Sequence, residues 1–192
     1  MSNGSARDFE DRQLNINGAF EFRSLIRADN RGEFARHYSA DMMGSTSGFT
    51  VCQANISRTF EERTFRGMHY QIPPYAESKL ISCLSGAVID FLVDLRPDSS
   101  SYLKWDSVHL SASLSNLVYI PAGVANGYLS LERNVLVHYY SSAAYSNSHE
   151  RGFRYDDKLV SIKLPCAPKI VSAKDQLWSE LSENYLQVFR NL

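Results

Sequence analysis

Residues 66–71 bring together side chains that could move a proton. The segment reads Arg-Gly-Met-His-Tyr-Gln, so Arg66, His69 and Gln71 lie close together in the chain. An imidazole with an ordinary pKa of about 6.5 takes up and releases protons near neutral pH, which makes His69 a candidate general base. A lone histidine in a strand is more often structural, so this hypothesis depends on the residues that accompany it.

The spacing of Arg66 and His69 poses a geometric problem. Side chains alternate between the two faces of a regular strand, so these two residues would point in opposite directions. Both can reach one pocket only if Gly67, which lies between them, marks a bulge or a bend. We therefore expect an irregular strand at this glycine.

The elements that position these residues read as a series of short strands. Stretches such as Phe49–Ile56, Ala87–Leu95 and Val135–Ser141 alternate in polarity and are separated by Ser, Asn, Gly and Pro. Strands at this spacing predict a sandwich or jelly roll in a single domain, residues 15–192, after a flexible N-terminal arm, residues 1–14. On the strand Ala87–Leu95, Asp90 and Asp94 share a face with apolar residues, so they are either exposed or paired.

The C-terminal region changes to helical periodicity. From Ser172 onward the apolar residues recur at spacings of three and four, which predicts an amphipathic helix. These residues are Leu177, Trp178, Leu181, Tyr185, Leu186 and Phe189.

Composition excludes several classes of protein. The 192 residues carry 20 Lys+Arg and 21 Asp+Glu without a block of like charge, which argues against general electrostatic binding of nucleic acid. Neither a secretory signal nor a membrane-spanning stretch is evident. The cysteines, Cys52, Cys83 and Cys166, are odd in number and widely spaced, so we expect reduced thiols in a cytoplasmic protein.

Several motifs occur in an order that resembles one known family. They are Arg31-Gly32-x-Phe34, Gln53-x-Asn55-x-Ser57, Arg66-Gly67-x-His69-Tyr70-Gln71, Lys79-Leu80, Val93-Asp94-Leu95-Arg96, Pro121-x-Gly123, Tyr139 and Ser172-Ala173-Lys174-Asp175. From about Phe20 to Asp175, the chain resembles the dTDP-4-dehydrorhamnose 3,5-epimerase family of cupin-fold nucleotide-sugar epimerases. The resemblance implies an all-β, cupin-type jelly-roll β-barrel with a short C-terminal helical segment. It also implies a homodimer that needs no metal or cofactor.

The resemblance further implies a reaction and a set of site residues. His69 would remove the proton beside the keto group of a nucleoside-diphospho-4-keto-6-deoxysugar, and Asp175 would pair with His69. Lys79 would face the enolate oxygen, and Tyr139 would return a proton from the opposite face, inverting C5, C3 or both. The substrate-binding positions would be Arg31, Phe34, Gln53, Asn55, Ser57, Arg66, Asn126 and Tyr145.

Three of these residues also have simpler interpretations. Ser172 and Asp175 fit a capping pattern, so Asp175 could simply begin a helix. Tyr139 lies among valines, as a core tyrosine would, and a single lysine such as Lys79 is usually a solvated charge. The local sequence alone leaves both interpretations open.

The chain departs from the family pattern at three positions. Asn126 stands where the family usually has histidine, Arg36 where it usually has glutamate, and Glu77 where glutamine is common. Metal-binding cupins have imidazoles both here and two residues after His69, and asparagine is a poor substitute on a transition metal. The altered charges predict a base or sugar other than that of dTDP-4-keto-6-deoxyglucose, and a CDP- or GDP-linked keto-sugar or epimerisation at one carbon only would fit equally well.

Two other functions remain compatible with the sequence. A non-catalytic cupin that binds a nucleotide sugar would explain Asn126, but it would not need a base and an acid on opposite faces. A related keto-sugar isomerase would use the same proton abstraction.

Overall fold

A computed structural model describes residues 8–40, 42, 49–182 and 187–190. In this part of the chain nearly all regular structure is β-strand, with one short α-helix, α1 (Ala173–Gln176). In chain order the strands are β1 (Phe9–Gln13), β2 (Phe20–Ser24), β3 (Arg27–Asp29), β4 (Gly32–Phe34), β5 (Gln53–Thr59), β6 (Thr64–Gln71), β7 (Lys79–Ser85), β8 (Ala87–Asp94), β9 (Trp105–Ser111), β10 (Asn116–Ile120), β11 (Val124–Ser130), β12 (Val135–Ser141), β13 (Glu150–Gly152) and β14 (Ile170–Val171).

Two antiparallel sheets form the barrel, which confirms the predicted jelly-roll class. The first sheet has the order β1-β2-β10-β7-β12-β5, and the second has the order β13-β6-β11-β8-β9, with β14 beside β6. Strands β3 and β4 form a separate hairpin. Neighbours such as β10 and β7 are distant in sequence, as expected for a jelly roll rather than a simple meander.

The main core fills the space between the two sheets. Inward-facing side chains of both sheets meet there, including Ile81, Leu92, Val118, Val124 and Val137. Each lies at a strand position whose side chain points inward, because side chains alternate between the two faces of a strand. Ile81 and Val137 also border the candidate site, which therefore adjoins this core.

A second core covers the outer face of the β6-β11-β8 sheet. Phe65, Phe91 and Phe153 are fully buried there, and C-terminal residues such as Phe189 pack over them. Because both faces of this sheet are covered, its strands are buried almost throughout. Strand β6, which carries His69, is therefore held rigidly from both sides.

The two carboxylates of strand β8 are buried and hydrogen-bonded. Asp94 pairs with Arg96 at 2.8 Å and also accepts hydrogen bonds from Ser99 and Ser101. Burial opposes ionisation of Asp94, but these donors outweigh it and hold its pKa below the usual range. Asp90 accepts a hydrogen bond from Asn126 instead.

The structure corrects the prediction of a loose arm over residues 1–14. Phe9–Gln13 form strand β1, which pairs antiparallel with β2, while residues 1–7 lie outside the described part of the chain. Phe9 is buried beside Phe22, and Arg12 pairs with Glu21 at 2.7 Å. Polar composition hid this strand because four of its five residues are polar and exposed, and only Phe9 is buried.

A short C-terminal helical segment is present as predicted, but among the described residues the helix does not extend over the apolar residues from Leu177 onward. Helix α1 ends at Gln176, and Leu177 is 83% exposed instead of buried. The chain then turns so that the backbone N–H of Leu181 donates to the buried carboxylate of Asp157 at 2.7 Å. Of the remaining periodic residues, Tyr185 and Leu186 lie outside the described residues.

None of the helices described is long and apolar enough to cross a membrane.

Candidate active site

Two adjoining cavities open between the sheets, with volumes of about 220 and 320 Å³. The first is lined by Ser57, Arg66, His69, Lys79, Ile81, Asn126, Tyr128, Val137 and Tyr139. The second is lined by Gln53, Asn55, His69, Tyr70, Gln71, Glu77, Lys79, Tyr139, Ser141, Tyr145 and Glu150. His69, Lys79 and Tyr139 border both cavities, so the three polar groups converge on one space.

Asp175 contacts His69 directly. The imidazole Nε2 lies 2.6 Å from Asp175 Oδ1, and the carboxylate side chain is 4% exposed. Burial disfavours the charged carboxylate, but the hydrogen bond with His69 and further donors outweigh it and lower the pKa of Asp175. An ionised Asp175 accepts a hydrogen bond from Nε2–H, which leaves Nδ1 as the basic nitrogen of His69.

The capping interpretation of Asp175 holds at the same time. The backbone N–H of Asp175 donates to Ser172 Oγ at 3.0 Å, so Ser172 caps α1. Because the cap uses the backbone of Asp175 and the contact with His69 uses its side chain, the two roles do not compete. The cap fixes the start of α1 and thereby directs the carboxylate toward His69.

Gly67 allows Arg66 and His69 to line the same cavity, as the sequence predicted. On β11, Tyr128 pairs with Arg66 and Asn126 pairs with His69, so the register shifts between them. Gly67 has φ of +130°, and a Cβ there would lie 2.5 Å from the Cα of Gly127. Only glycine fits this close approach of β6 and β11.

Lys79 lies at the start of β7 with its ammonium inside the cavity. Its Nζ donates to Asn126 Oδ1 at 2.9 Å and lies 3.4 Å from Glu77 Oε1. The lysine side chain is only 12% exposed, so its charge acts through a partly desolvated medium. Lys79 is therefore not the solvated charge that its sequence alone suggests.

Tyr139 faces the cavity from the sheet opposite His69. Strand β12 belongs to the first sheet and β6 to the second, so the phenol and the imidazole lie on facing walls. Burial, together with the negative charge of Glu77, raises the pKa of Tyr139. The phenol is consequently protonated at neutral pH and can donate a proton.

Strand β5 supplies a row of polar side chains to the cavities. Gln53, Asn55 and Ser57 are half-buried and alternate with exposed residues, so all three face inward. Tyr145 borders the second cavity at its outer side, where its hydroxyl donates to Glu150 at 2.6 Å. The predicted polar face of this strand therefore lines a cavity and not a solvated surface.

Two predicted binding residues lie outside both cavities of this chain. Arg31 is exposed on the β3–β4 hairpin and pairs with Asp29 at 2.6 Å, and Phe34 is 56% exposed. Arg36 stacks near Phe34 and pairs with Asp8 at 2.9 Å. Arg36 therefore adds no charge to the cavities formed by its own chain.

Sequence reasoning missed Glu150 and Lys174. Glu150 lines the second cavity and pairs with Lys174 at 2.5 Å. Burial opposes ionisation of Glu150, but the hydrogen bonds from Lys174 and Tyr145 outweigh it and lower the pKa of Glu150. No local pattern marks Glu150, because β13 is only three residues long and gains its position by pairing with β6. No group of three or more potential metal ligands occurs among residues 8–40, 42, 49–182 and 187–190.

A β-barrel with a histidine–aspartate pair at its central cavity is the architecture of a cupin-type enzyme, and comparisons identify the family. The family model for dTDP-4-dehydrorhamnose 3,5-epimerase matches residues 13–183. A dTDP-4-dehydrorhamnose 3,5-epimerase of Sinorhizobium fredii is 36% identical over 134 residues, 69% of each chain. A dTDP-4-dehydrorhamnose 3-epimerase of Streptomyces niveus is 31% identical over 167 residues, 86% of this chain and 80% of the relative.

A solved structure agrees with these sequence matches. The dTDP-4-dehydrorhamnose 3,5-epimerase of Bacillus anthracis, with TDP and PPi bound, has a TM-score of 0.86 and 31% identity. The match covers 90% of this chain and 99% of that one. The chain described here therefore belongs to the dTDP-4-dehydrorhamnose 3,5-epimerase family and is a nucleotide-sugar epimerase.

Proposed function

We propose that His69 and Tyr139 carry out the two proton transfers of the epimerisation. His69 Nδ1 removes a proton from the carbon beside the 4-keto group, and the phenol of Tyr139 delivers a proton to the other face of the same carbon. The placement of the base and the acid on facing sheets, with one cavity between them, carries this proposal. Inversion requires such an arrangement, since a base alone would return the proton to the face it left.

Lys79 supplies the positive charge that the reaction needs. A proton next to a ketone is weakly acidic, so the enzyme must stabilise the enolate oxygen while the base acts. The ammonium of Lys79 borders the same cavity as His69 and is mostly shielded from solvent. Asp175 stabilises the imidazolium that forms when His69 takes the proton.

We propose a dTDP-linked 4-keto-6-deoxysugar as the substrate. The relatives and the Bacillus anthracis structure are dTDP-sugar epimerases by name, and the latter holds TDP. Gln53, Asn55, Ser57 and Arg66 remain as the polar groups that would meet the nucleotide sugar.

Either one or two carbons are inverted, and both outcomes fit the same pair of groups. The relatives include a 3,5-epimerase and a 3-epimerase. Incubation with dTDP-, CDP- and GDP-4-keto-6-deoxyglucose in D₂O, followed by NMR, tests both substrate and position. We expect deuterium at C3, C5 or both of the dTDP sugar only; faster labelling of a CDP or GDP sugar would contradict the substrate assignment.

The position of the β3–β4 hairpin supports a homodimer. Arg31 and Phe34 match substrate-binding motifs yet lie outside the cavities of their own chain. In a dimer, the hairpin of one protomer can reach the cavity of its partner, which would satisfy both observations.

The three thiols described are free, which accords with the reducing cytoplasm as the site of action.

Mixed dimers test this arrangement. His69→Ala and Arg31→Ala variants are each expected to be inactive alone, while unfolding and refolding them together should restore activity. A hybrid dimer would hold one cavity with both wild-type residues. If light scattering shows a monomer, or if the mixture stays inactive while the wild type refolds normally, the dimeric site is wrong.

A further inference from the structure

A chain of three side chains leads from the barrel interior to the cavity. Asp90 is 0% exposed, and its Oδ1 accepts a hydrogen bond from Asn126 Nδ2 at 3.1 Å. Asn126 Oδ1 in turn accepts from Lys79 Nζ at 2.9 Å. Asp90 lies opposite Tyr128 on the neighbouring strand, which makes Asn126 its diagonal neighbour on the same face.

The chemistry of these groups allows one orientation of the Asn126 amide. An ammonium only donates hydrogen bonds, and Oδ1 of Asp90 accepts whether the carboxyl is ionised or carries a proton on Oδ2. The amide must therefore direct its N–H toward Asp90 and its oxygen toward Lys79. If the amide turned over, its NH₂ group would face the ammonium and both hydrogen bonds would be lost.

Two acceptors fix the ammonium of Lys79. An ammonium has three N–H donors, and those toward Asn126 and Glu77 are the two for which the structure records partners. The cavity lies on the remaining side, where the enolate oxygen of the substrate would be. Holding the long, flexible side chain in one rotamer before substrate binds favours the transition state over the ground state.

Stability does not explain the presence of a carboxyl group at position 90. Asp90 Oδ2 is buried and lacks a hydrogen-bond partner among the described residues. Burial raises the pKa of Asp90 to about 7, against the hydrogen bond from Asn126. An unsatisfied buried oxygen destabilises a fold, so the group has a use other than packing.

We propose that Asp90 is a positioning residue for catalysis, which acts through Asn126 to hold Lys79 in place for the enolate. The proposal rests on the role of Lys79 in the proposed function. The relay also gives Asn126 a use: unlike the histidine usual at this position, its amide connects Asp90 and Lys79 without taking up a proton near neutral pH.

Exchanging the two polar side chains tests the relay. Asn126→Asp should lower kcat at least tenfold, because two carboxyl groups would then face each other in a buried site. The double variant Asp90→Asn/Asn126→Asp presents an amide donor at position 90 and a carboxylate that still accepts from Lys79. We expect it to regain kcat to within about fivefold of the wild type, with KM changed less than threefold throughout.

Removing the acceptor provides a second test. Asp90→Val should lower kcat tenfold to a hundredfold with KM nearly unchanged, whereas Asp90→Asn, whose oxygen can still accept from Asn126, should stay within about fivefold of the wild type. Thermal melting and dTDP binding establish that each variant is folded. If Asp90→Val fails to fold, the near-isosteric exchange of positions 90 and 126 decides the question alone.

The outcomes separate this proposal from the proposed function. A folded Asp90→Val with wild-type kcat, or a double variant no better than Asn126→Asp, would overturn the relay. Lys79→Ala is the matched control for the chemistry. If Lys79→Ala keeps wild-type kcat, the role of Lys79 itself is wrong; if it is inactive while Asp90→Val is not, only the relay fails.

Discussion

Replacing Asp175 by asparagine tests the histidine–carboxylate pair with little change in shape. The side chain keeps its size, and the cap on helix α1 is retained because it uses the backbone N–H of Asp175 and the hydroxyl of Ser172. The change removes the negative charge located 2.6 Å from His69 Nε2. It also offers an NH₂ group to that nitrogen, which favours the tautomer with its proton on Nδ1.

Both effects lower the rate of proton abstraction. A hydrogen bond to a charged group contributes about 1.5–3 kcal/mol, and this contribution grows when His69 becomes an imidazolium. Because about 1.4 kcal/mol corresponds to a factor of ten, we expect Asp175→Asn to lower kcat by about 10- to 150-fold. KM should change little, since the Asp175 carboxylate is buried behind the imidazole.

The assay is the steady-state rate of epimerisation, measured with solvent-deuterium exchange on the same samples. Asp156→Asn is a matched control, because Asp156 is an exposed carboxylate paired with Arg154 away from the cavities. Ser172→Ala tests the capping role separately, with an expected loss of about 1 kcal/mol in the free energy of unfolding. A folded Asp175→Asn enzyme with kcat within threefold of the wild type would refute the pairing as a catalytic device.

Three further predictions follow from the geometry. Gly67→Ala should abolish activity and lower the melting temperature, because its Cβ would lie 2.5 Å from the Cα of Gly127; circular dichroism and activity measurements check both. Asp94→Asn should lower the free energy of unfolding by about 3–5 kcal/mol at neutral pH, since it leaves Arg96 buried without its partner. The pKa of Asp94 is lowered in the folded state, so its contribution is present above the unfolded pKa; denaturant titrations should show the deficit shrinking as the pH falls through the folded pKa, and a pH-independent deficit would be inconsistent. The raised pKa of Tyr139 predicts that deprotonation of this phenol lowers activity only at alkaline pH, above the ordinary pKa range of tyrosine. The residual deuterium exchange of Tyr139→Phe should not show this alkaline decline.

The strand pattern made the barrel predictable. Alternation along β5 and β12 follows from burial of one face, and a period of two residues can be read from a single sequence. The irregularity at Gly67 was also predictable, because two residues three apart could share a pocket only with a bulge. These features depend on neighbouring residues, so local reasoning was sufficient.

Contacts between distant residues were not predictable in the same way. Asp90 and Asn126 are 36 positions apart, and their hydrogen bond depends on the register of β8 and β11. Beyond the end of α1, the backbone N–H of Leu181 donates to Asp157, a contact between residues 24 positions apart that the local pattern does not indicate. Leu177 is exposed, while Leu181 and Phe189 pack in one buried cluster although residues 177–182 are not helical.

The resemblance supplied what physical reasoning about the sequence could not. Ser172 and Asp175 suggested a helix cap, and the cap exists, yet the side chain of Asp175 contacts His69. In the same way Lys79 has the appearance of a surface charge in the sequence and lies inside a cavity in the fold. The local sequence around Asp175 indicates only the helix cap, because the contact with His69 depends on residues that are distant in the chain.

Solvent-deuterium exchange in dTDP-4-keto-6-deoxyglucose tests the central claim most directly. The wild-type enzyme should introduce deuterium at an inverted carbon, and His69→Ala should introduce none. Tyr139→Phe should still introduce deuterium but with the original configuration retained, because His69 can return a proton only to the face it took it from. Exchange that persists in a folded His69→Ala enzyme, or full inversion by Tyr139→Phe, would contradict the account.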